Sequence, residues 1–528
     1  MIRALHCIVL GAGNLTLSHA RGQTFAAGGY FLKEAGIEDF CILEMGASLG
    51  GVWQKGGVGG YPGAACDVPS YAYLPFLDRI GFIPSKKYVT QHEIATYTDQ
   101  LVEYCGLEPH IRFSTKVTGI NYIGTGQWQI STHDMAKGTD SSDYVATHVV
   151  SANGPLSTPR MPEVAGMQQF KGESFHTAQW DYGVDLKGKN VGIIGTGASA
   201  AQVITSIADE VETLTVFQRS ATWALPRDDE PTPPEIVDAF KKGGYSESLR
   251  HVDWQNGTPR DSELPFNFDM LHDEEANGKI CAAIAKRIQH EVEDPELAAL
   301  LTPDYPFFCK RVLFIDDYYT TFNKPNVRLV NDPNGVVNIT ESGVEMASGD
   351  RHDVDVLIYA TGFDSNHIPF PVTGRDGVTL ADQYGANEAN NWQMTRPQSL
   401  WGMHVENLPN FYLMIGPQSL NPVTNVTLLC EEQGKYIANL VARMRQEGVH
   451  EVEPKAEAVA DWTARCNASA DGKVWLRCNN WYMKSTKSDV EAGRERSQGM
   501  WMETYETYLQ HVLGGAGGDQ DTLLRFRA

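Results

Sequence analysis

Two glycine-rich turns constrain this sequence more than any other feature, because each stands between a predicted buried strand and a predicted helix. The first turn begins at Gly11 and follows the apolar run at residues 7–10. The second begins at Gly195 and follows the apolar run at residues 191–194. Such a turn lets backbone N–H groups and a helix N-terminus approach a pyrophosphate with no Cβ in the way. We call them the first and second cradles, and together they predict two dinucleotide-binding βαβ units in one chain.

The second cradle has the complete spacing, with Gly195, Gly197 and Ala200 as its three small residues. The predicted strand after it ends at Arg219, which lies 219 − 200 = 19 residues beyond Ala200. An acid at that point would hold the ribose of NAD, whereas an arginine suits the 2′-phosphate of NADP. The motif therefore predicts an NADP-binding unit, with an ordinary glycine turn and a solvated strand-end cation as the alternatives.

The first cradle keeps Gly11 and Gly13 but lacks the third small residue. Residues 14–22 look inserted, and without them Phe25 occupies the third position, where close packing of helix on strand disfavours a large ring. Two alternatives explain this stretch: an error in the gene model, or a natural insertion that reshapes the site. Glu44, at the end of the next predicted strand, is the expected ligand of the nucleotide ribose, with an exposed loop acid as the alternative.

Composition and charge exclude several classes of protein. The 528 residues carry 43 Lys and Arg against 66 Asp and Glu, a net charge of −23, so no nucleic-acid partner is expected. The nine cysteines form no C-x-x-C pair, which argues against a disulfide framework and a zinc ribbon. No signal peptide and no run of about 18 apolar residues is present, so we expect no stable membrane insertion and a cytoplasmic location. No Ser/His/Asp arrangement or H-E-x-x-H string suggests a hydrolase.

The predicted fold class is α/β, with two Rossmann-like dinucleotide-binding domains and a helical insertion. Residues 1–152 and 363–528 are expected to form the first domain. Residues 165–222 and 312–362 are expected to form the second, NADP-binding domain. The stretch at 223–311 changes in composition and becomes helical towards its end, so we interpret it as the insertion.

Two further local patterns carry structural predictions. Thr90 and Glu93 have the spacing of a capping box ahead of an amphipathic helix. Near the C-terminus, the glycine-rich residues 514–518 predict a flexible linker to a short tail.

Between the two cradles stands a string that fits F-x-G-x-x-x-H-x-x-x-W, with Phe170, Gly172, His176 and Trp180 at its fixed positions. It resembles the fingerprint of the type I Baeyer–Villiger monooxygenases, which use FAD and NADPH. Further segments similar to that family are spread along nearly the whole chain: Gly50-Gly51-Val52-Trp53, Tyr61-Pro62-Gly63-Ala64-Ala65-Cys66-Asp67, Cys309-Lys310-Arg311, Ala360-Thr361-Gly362-Phe363-Asp364 and Cys478-Asn479-Asn480-Trp481-Tyr482.

The resemblance implies a reaction in which NADPH reduces FAD, O2 adds to the flavin as a C4a-peroxide, and the peroxide attacks a ketone to give an ester or lactone. It implies that Arg311 is the fixed cation beside the anionic peroxide, a role that suits a guanidinium because it keeps its proton. Asp67 is then expected to pair with Arg311 and orient it. Arg311 and Asp67 are the predicted catalytic residues.

The resemblance also implies a role for each of the remaining site residues. FAD is expected at Gly11, Gly13, Glu44, Trp53 and Asp67, NADP at Gly195, Gly197, Ala200, Arg219 and Trp481, and coupling between the domains at Phe170, Gly172, His176 and Trp180. The first domain is accordingly the FAD-binding one. A small ketone and O2 are the implied partners, and no metal ion is expected.

Several alternatives stay open. His176 is also explained as a hydrogen-bonded structural residue, Trp180 as core packing, and Lys310 with Arg311 as a basic surface dipeptide. A flavin monooxygenase that oxidises sulfur or nitrogen is the second enzymatic choice. A non-catalytic relative that has lost the first cradle is the rival from another class. The sequence identifies neither the ketone nor the oligomeric state.

Overall fold

Two sheets with parallel centres carry the two cradles in this computed structural model, which describes residues 3–11, 21–54, 60–154, 158–246, 268–363, 370–386, 394–419, 425–478, 480, 482, 500–512 and 520–528. In chain order the strands are β1 (Arg3–Leu10), β2 (Phe40–Leu43), β3 (Ile111–Arg112), β4 (Thr115–Gly124), β5 (Gln127–Asp134), β6 (Thr139–Ser151), β7 (Glu173–His176), β8 (Asn190–Ile194), β9 (Thr213–Gln218), β10 (Ala224–Leu225), β11 (Leu313–Phe314), β12 (Val327–Asn331), β13 (Val336–Ile339), β14 (Gly343–Met346), β15 (Arg351–Asp353), β16 (Val356–Tyr359), β17 (Val372–Thr373), β18 (Phe411–Leu413), β19 (Glu451–Pro454) and β20 (Leu524–Arg527). The helices are α1 (Arg21–Glu34), α2 (Ser70–Tyr73), α3 (Leu77–Ile80), α4 (Gln91–Cys105), α5 (Ala198–Ile207), α6 (Pro234–Lys242), α7 (Glu274–Glu291), α8 (Pro295–Leu301), α9 (Tyr318–Thr321), α10 (Leu380–Tyr384), α11 (Val426–Glu447), α12 (Ala456–Ser469), α13 (Tyr505–Val512) and α14 (Gln520–Leu523).

The first sheet contains the strand that leads into the first cradle. Its strand order is β17-β4-β5-β6-β1-β2-β3, and β18 also pairs with β6. β1 lies parallel to both β2 and β6, with Cys7 opposite Phe40 on one side and His148 on the other. The apolar end of β1 is buried between these neighbours, so it delivers the chain to Gly11 at the edge of the sheet.

Helix α1 follows the first cradle and packs closely against α11. A Cβ at Gly434 of α11 would lie 3.1 Å from the Phe31 ring and 3.4 Å from the backbone of Ala27, so a larger residue would push the two helices apart. α1 begins at Arg21. The last two residues of the stretch at 14–22 therefore belong to a helix, while residues 12–20 lie outside the described part of the chain.

The second sheet contains the strand that leads into the second cradle. Its order is β12-β9-β8-β16-β7, and all of its pairs are parallel. Counted from β8, the run β12-β9-β8-β16 has the 3-2-1-4 order of a Rossmann unit. α5 begins directly after Gly197. The predicted α/β fold with two Rossmann-like units is confirmed.

The helical insertion leaves and rejoins the second unit at a short two-stranded ladder. β10 and β11 pair in parallel, with Ala224 opposite Leu313, and α6, α7 and α8 lie between them in the chain. The indole N–H of Trp223 donates to the carbonyl oxygen of Tyr305 at 3.0 Å and ties the two ends together. The division into domains at residues 152, 165, 222, 312 and 363 remains a proposal.

The C-terminal tail is part of the fold. β20 pairs antiparallel with β19, and Arg525 and Arg527 form ion pairs with the buried Glu453 at 3.4 and 3.1 Å. The predicted linker at 514–518 lies outside the described residues.

The capping box predicted at Thr90 is wrong, although the helix behind it is present as α4. The Thr90 side chain makes no capping hydrogen bond to the described residues of α4. The Glu93 carboxylate instead accepts hydrogen bonds from the backbone N–H of Ser85, at 2.7 Å, and from the Ser85 hydroxyl. Glu93 therefore anchors the loop before the helix rather than the helix end.

The described residues contain neither a candidate membrane span nor a candidate metal site. None of the helices there is both long and apolar enough to cross a membrane. In the same parts of the chain, no three His, Cys, Asp or Glu side chains cluster in a way that could hold a metal ion.

Candidate functional site

The second cradle has the geometry that a dinucleotide pyrophosphate requires. Gly195 has a φ of +118°, and a Cβ there would lie 2.5 Å from the carbonyl oxygen of Ala360. A Cβ at Gly197 would meet no described atom within 4 Å, so the space in front of α5 is open. Ala200 is fully buried in α5, where a small side chain permits close packing on the sheet. These three residues fit a bound NADP.

Two cations influence each other electrostatically at the end of β9. Arg219 follows β9 and is exposed. Burial lowers the pKa of the Lys310 ammonium, and the charge of Arg219 lowers it further, so the two cations are within electrostatic range of each other. The Lys310 Nζ also lies 4.3 Å from the centre of the Tyr305 ring. A pair of neighbouring cations at the end of this strand suits the doubly charged 2′-phosphate of NADP.

The described part of the first cradle also fits a nucleotide. A Cβ at Gly11 would lie 3.2 Å from Oε2 of Glu44 and 3.3 Å from the carbonyl oxygen of Leu43. The Glu44 carboxylate is buried at the end of β2 and accepts a hydrogen bond from the Gly46 N–H at 2.6 Å. Glu44 thus stands beside the glycine turn, where a ribose ligand is required. Gly13 lies outside the described residues, and Phe25 is placed only as a backbone position in α1.

Asp67 and Arg311 form the ion pair that the family resemblance implied. Nη2 of Arg311 donates to both carboxylate oxygens of Asp67, at 2.9 Å each. The Asp67 side chain is 5% exposed and the Arg311 side chain 40%, so the carboxylate is enclosed and the arginine paired with it is only partly buried. The negative charge of Asp67 raises the pKa of Arg311 above its already high value. Arg311 is therefore a permanent, oriented cation.

The loop before Asp67 is held among buried side chains. We call residues 60–67 the Asp67 loop. Trp53, on the short 3₁₀ turn Gly51–Trp53, is 4% exposed and contacts the Tyr73 ring edge to face at 6.4 Å between ring centres. Burial raises the pKa of the Cys66 thiol next to Asp67, so this thiol stays protonated and neutral. Trp53 and Cys66 belong to the same buried core, and Asp67 follows Cys66 directly in the chain.

His176 lies where the second unit connects back to the first. It ends β7 and is opposite Tyr359 of β16, shortly before the chain passes through Gly362 to Phe363. Its ring contacts the Phe363 ring edge to face, with 5.6 Å between centres, and its Nδ1 accepts from the Ala178 N–H at 3.0 Å. Burial lowers the pKa of His176 to about 4, so the ring is neutral near pH 7. This geometry fits His176 as a neutral histidine in a structural contact. It does not fit His176 as a residue that donates a proton in a reaction.

The other three fingerprint residues lie in the second unit. A Cβ at Gly172 would lie 2.3 Å from the Asp355 carbonyl oxygen and 2.7 Å from the Phe170 ring, so only glycine fits between them. Trp180 is 8% exposed and packs edge to face on Phe175 at 5.0 Å. These contacts explain Phe170, Gly172 and Trp180 as packing residues, and their role in domain coupling remains a prediction.

The C-terminal segment reaches the Arg311 segment. Cys309 and Cys478 form a disulfide with their Cα atoms 6.1 Å apart. Tyr482 is buried and lies close enough to Arg311 to affect its pKa. Trp481, the predicted nicotinamide-ribose contact, lies outside the described residues. The sequence predicted no disulfide framework, and this single bond was missed because its partners, 169 residues apart, meet only in the folded chain.

Sequence reasoning missed two residues of this region. Lys310 was considered only as half of a surface dipeptide, since nothing in the sequence shows that it approaches Arg219. Gln202 was overlooked inside α5, where a polar residue among the otherwise apolar buried residues of the helix was the available signal.

Comparisons with known proteins give matches that cover most of the chain. A family model described as flavin-binding monooxygenase-like matches residues 67–240. A Baeyer-Villiger monooxygenase of Streptomyces coelicolor is 34% identical over 476 residues, which cover 86% of this chain and 84% of that protein. The 2-oxo-Delta(3)-4,5,5-trimethylcyclopentenylacetyl-CoA monooxygenase of Pseudomonas putida is 30% identical over 97% of this chain and 95% of that protein.

Solved structures agree with these relatives. OTEMO in complex with FAD and NADP superimposes with a TM-score of 0.85 at 27% identity, covering 100% of both chains. Cyclohexanone monooxygenase from Rhodococcus sp. Phi1, bound to NADP+, gives a TM-score of 0.83 at 29% identity, again over 100% of both chains. Sequence identity and fold together show that the chain belongs to the Baeyer–Villiger monooxygenase family of flavin-dependent oxidoreductases.

Proposed function

We propose that the protein is an FAD-dependent, NADPH-consuming monooxygenase that inserts one oxygen atom of O2 into a ketone and releases an ester or lactone. The observation that carries this proposal is the Asp67–Arg311 pair, in which an enclosed carboxylate orients a permanent cation. A cation of this kind stabilises the negative charge that develops when oxygen attacks a carbonyl group. The family to which the chain belongs supports the same reaction.

The chain supplies binding, orientation and charge. Gly11 and Glu44 hold the ribose and phosphate end of FAD, with Gly13 in the same turn and Trp53 and Asp67 on the flavin side. Bound FAD supplies the hydride acceptor for NADPH and the activated oxygen that attacks the ketone. Arg311 keeps its proton throughout, because Asp67 raises its pKa.

The second cradle holds NADPH in this proposal. Gly195, Gly197 and Ala200 admit the pyrophosphate, and Arg219 with Lys310 binds the 2′-phosphate. Trp481 is assigned to the nicotinamide ribose on the resemblance alone. His176, together with Phe170, Gly172 and Trp180, sets the contact between the two domains. We also propose that the enzyme works in the cytoplasm, with no metal ion and no nucleic acid.

Product analysis with isotopically labelled oxygen tests this function. The purified protein is incubated with NADPH, ¹⁸O2 and a panel of cyclic and linear ketones, and in parallel with a thioether. We expect a ketone in the panel to give an ester or lactone that carries a single ¹⁸O atom. A sulfoxide formed without any ester would favour the sulfur- and nitrogen-oxidising alternative. If the protein neither consumes NADPH nor forms an oxygenated product, the result would favour the non-catalytic alternative.

A further inference from the structure

A glutamine of the second cradle's helix holds the Asp67 loop. Gln202 lies in α5, the helix that begins after Gly197, and is 8% exposed. Both ends of its side-chain amide bond to the loop. The Tyr61 hydroxyl donates to Oε1 at 2.9 Å, and Nε2 donates to the carbonyl oxygen of Ala65 at 2.8 Å. The two hydrogen bonds cross from the NADP-side unit to the FAD-side unit.

Backbone packing reinforces this contact. Gly63 has a φ of +77°, and a Cβ there would lie 1.9 Å from the Ser206 Oγ and 2.6 Å from the Gln202 carbonyl oxygen. Only a glycine lets the loop approach α5 so closely. The Asp67 loop is thus pressed directly onto the helix of the second cradle, with Gln202 as the polar link inside the contact.

The opposite side of the loop is fixed by the first unit. The Gln91 N–H, at the start of α4, donates to the Ala64 carbonyl oxygen at 3.0 Å, and Ala65 forms a β-bridge with Thr90. Asp67 follows two residues after Ala65 and accepts both hydrogen bonds from Arg311. A displacement of the loop at Ala65 therefore reaches the Asp67 carboxylate directly.

We propose that Gln202 is a positioning residue, which fixes the position of the Asp67–Arg311 pair relative to the second cradle. The inference rests on the function proposed above for that pair. Loss of both hydrogen bonds frees the Asp67 loop from α5 and displaces Asp67, and Arg311 moves with it. A misplaced cation weakens oxygen transfer to the ketone, since displacements of about 1 Å cost up to ~100-fold in rate. NADPH contacts in the cradle are left in place.

Gln202→Leu tests the link by removing both hydrogen bonds with little change in volume. Its effect is measured as ester formed and H2O2 released per NADPH consumed, beside the FAD content and the KM for NADPH. We expect the ester yield per NADPH to fall on the order of tenfold, with the difference released as H2O2. FAD content and the KM for NADPH should stay within about twofold of the wild type, because the cradle residues are unchanged.

Two further variants make the comparison specific. Tyr61→Phe removes one of the two hydrogen bonds and should give a smaller loss in the same direction. Thr205→Ala is the control, because the Thr205 hydroxyl donates to Ala201 and Gln202 carbonyl oxygens within α5 and not to the loop. It should leave the ester yield unchanged.

Hydrogen exchange supplies a readout that does not depend on turnover. The amides of residues 64–67 should exchange on the order of tenfold faster in Gln202→Leu than in Thr205→Ala. Wild-type exchange and ester yield in both Gln202→Leu and Tyr61→Phe would overturn the proposal. If Gln202→Leu does not fold, Tyr61→Phe alone decides. If the wild type forms no ester, the proposed function fails, while the exchange comparison still decides whether Gln202 holds the loop.

Discussion

At the residue scale, the proposed chemistry depends on Arg311. We expect Arg311→Ala to leave flavin reduction by NADPH within about twofold of the wild type, because no cradle residue is touched, and to lower ester formation at least ~100-fold. Stopped-flow absorbance measures the first rate and gas chromatography the second. Arg351→Ala, which removes an exposed cation paired with Glu345, is the control and should change neither. Unchanged ester formation in Arg311→Ala would contradict the assigned role.

Coenzyme choice is a second property of single residues. Arg219→Ala removes one of the two cations of the proposed 2′-phosphate site, so the KM for NADPH should rise on the order of tenfold. The KM for NADH should not change, since NADH carries no phosphate there. An equal rise for both coenzymes would show that Arg219 acts on the fold of the cradle and not on the phosphate.

These two arginines also mark what the sequence can predict at this scale. The position of Arg219 after β9 is predictable because its distance from Ala200 is set by the length of one helix and one strand. Lys310 is not, because its approach to Arg219 depends on the path of the whole helical insertion. Asp67 and Arg311 were paired only through the family resemblance, and the structure places them in contact.

At the scale of elements, the pattern of strands and helices around both cradles was predictable. Short buried strands that end in a glycine have few alternatives, and β1, β8, α1 and α5 all lie where the pattern indicated them. The ends of elements were less predictable. The capping box predicted at Thr90 was wrong because the Glu93 carboxylate accepts a hydrogen bond from Ser85, a residue of the preceding loop. Sequence spacing does not reveal that two groups compete for the same carboxylate.

The disulfide between Cys309 and Cys478 links two elements and carries its own prediction. A cross-link across a long loop typically stabilises a fold by about 2–4 kcal/mol, so Cys478→Ser should lower the midpoint of thermal unfolding. Dithiothreitol should lower the wild-type midpoint similarly and leave that of the variant unchanged. Thiol titration of the denatured wild type should count two more thiols after reduction than before. Equal counts would show that the bond does not form.

At the scale of the whole molecule, buried histidines make the fold sensitive to acid. Burial lowers the pKa of His176 to about 4 and of His148 and His404 to about 3. Between these values and the ordinary pKa of about 6.5, the unfolded chain binds protons that the folded chain does not. The free energy of unfolding therefore falls as the pH decreases from about 6.5 towards 4, by up to about 1.4 kcal/mol per pH unit for each histidine.

Urea unfolding at a series of pH values measures this dependence. His404→Gln removes one titrating ring while keeping a polar group near the Tyr436 hydroxyl, to which His404 bonds at 2.9 Å. The variant should lose less stability per pH unit than the wild type over the same range. Parallel curves for the two proteins would contradict the assignment of His404 as a buried neutral group.

The central claim concerns the whole molecule as well, since both cradles must work together in one chain. The visible absorption spectrum of the purified protein, before and after anaerobic addition of NADPH, tests it most directly. We predict flavin bands that bleach on addition of NADPH, which requires an occupied first cradle and a functional second cradle. A colourless protein that takes up no added FAD would contradict the account. Residues 14–22, which interrupt the first cradle, would then be the first candidate cause of the lost FAD binding.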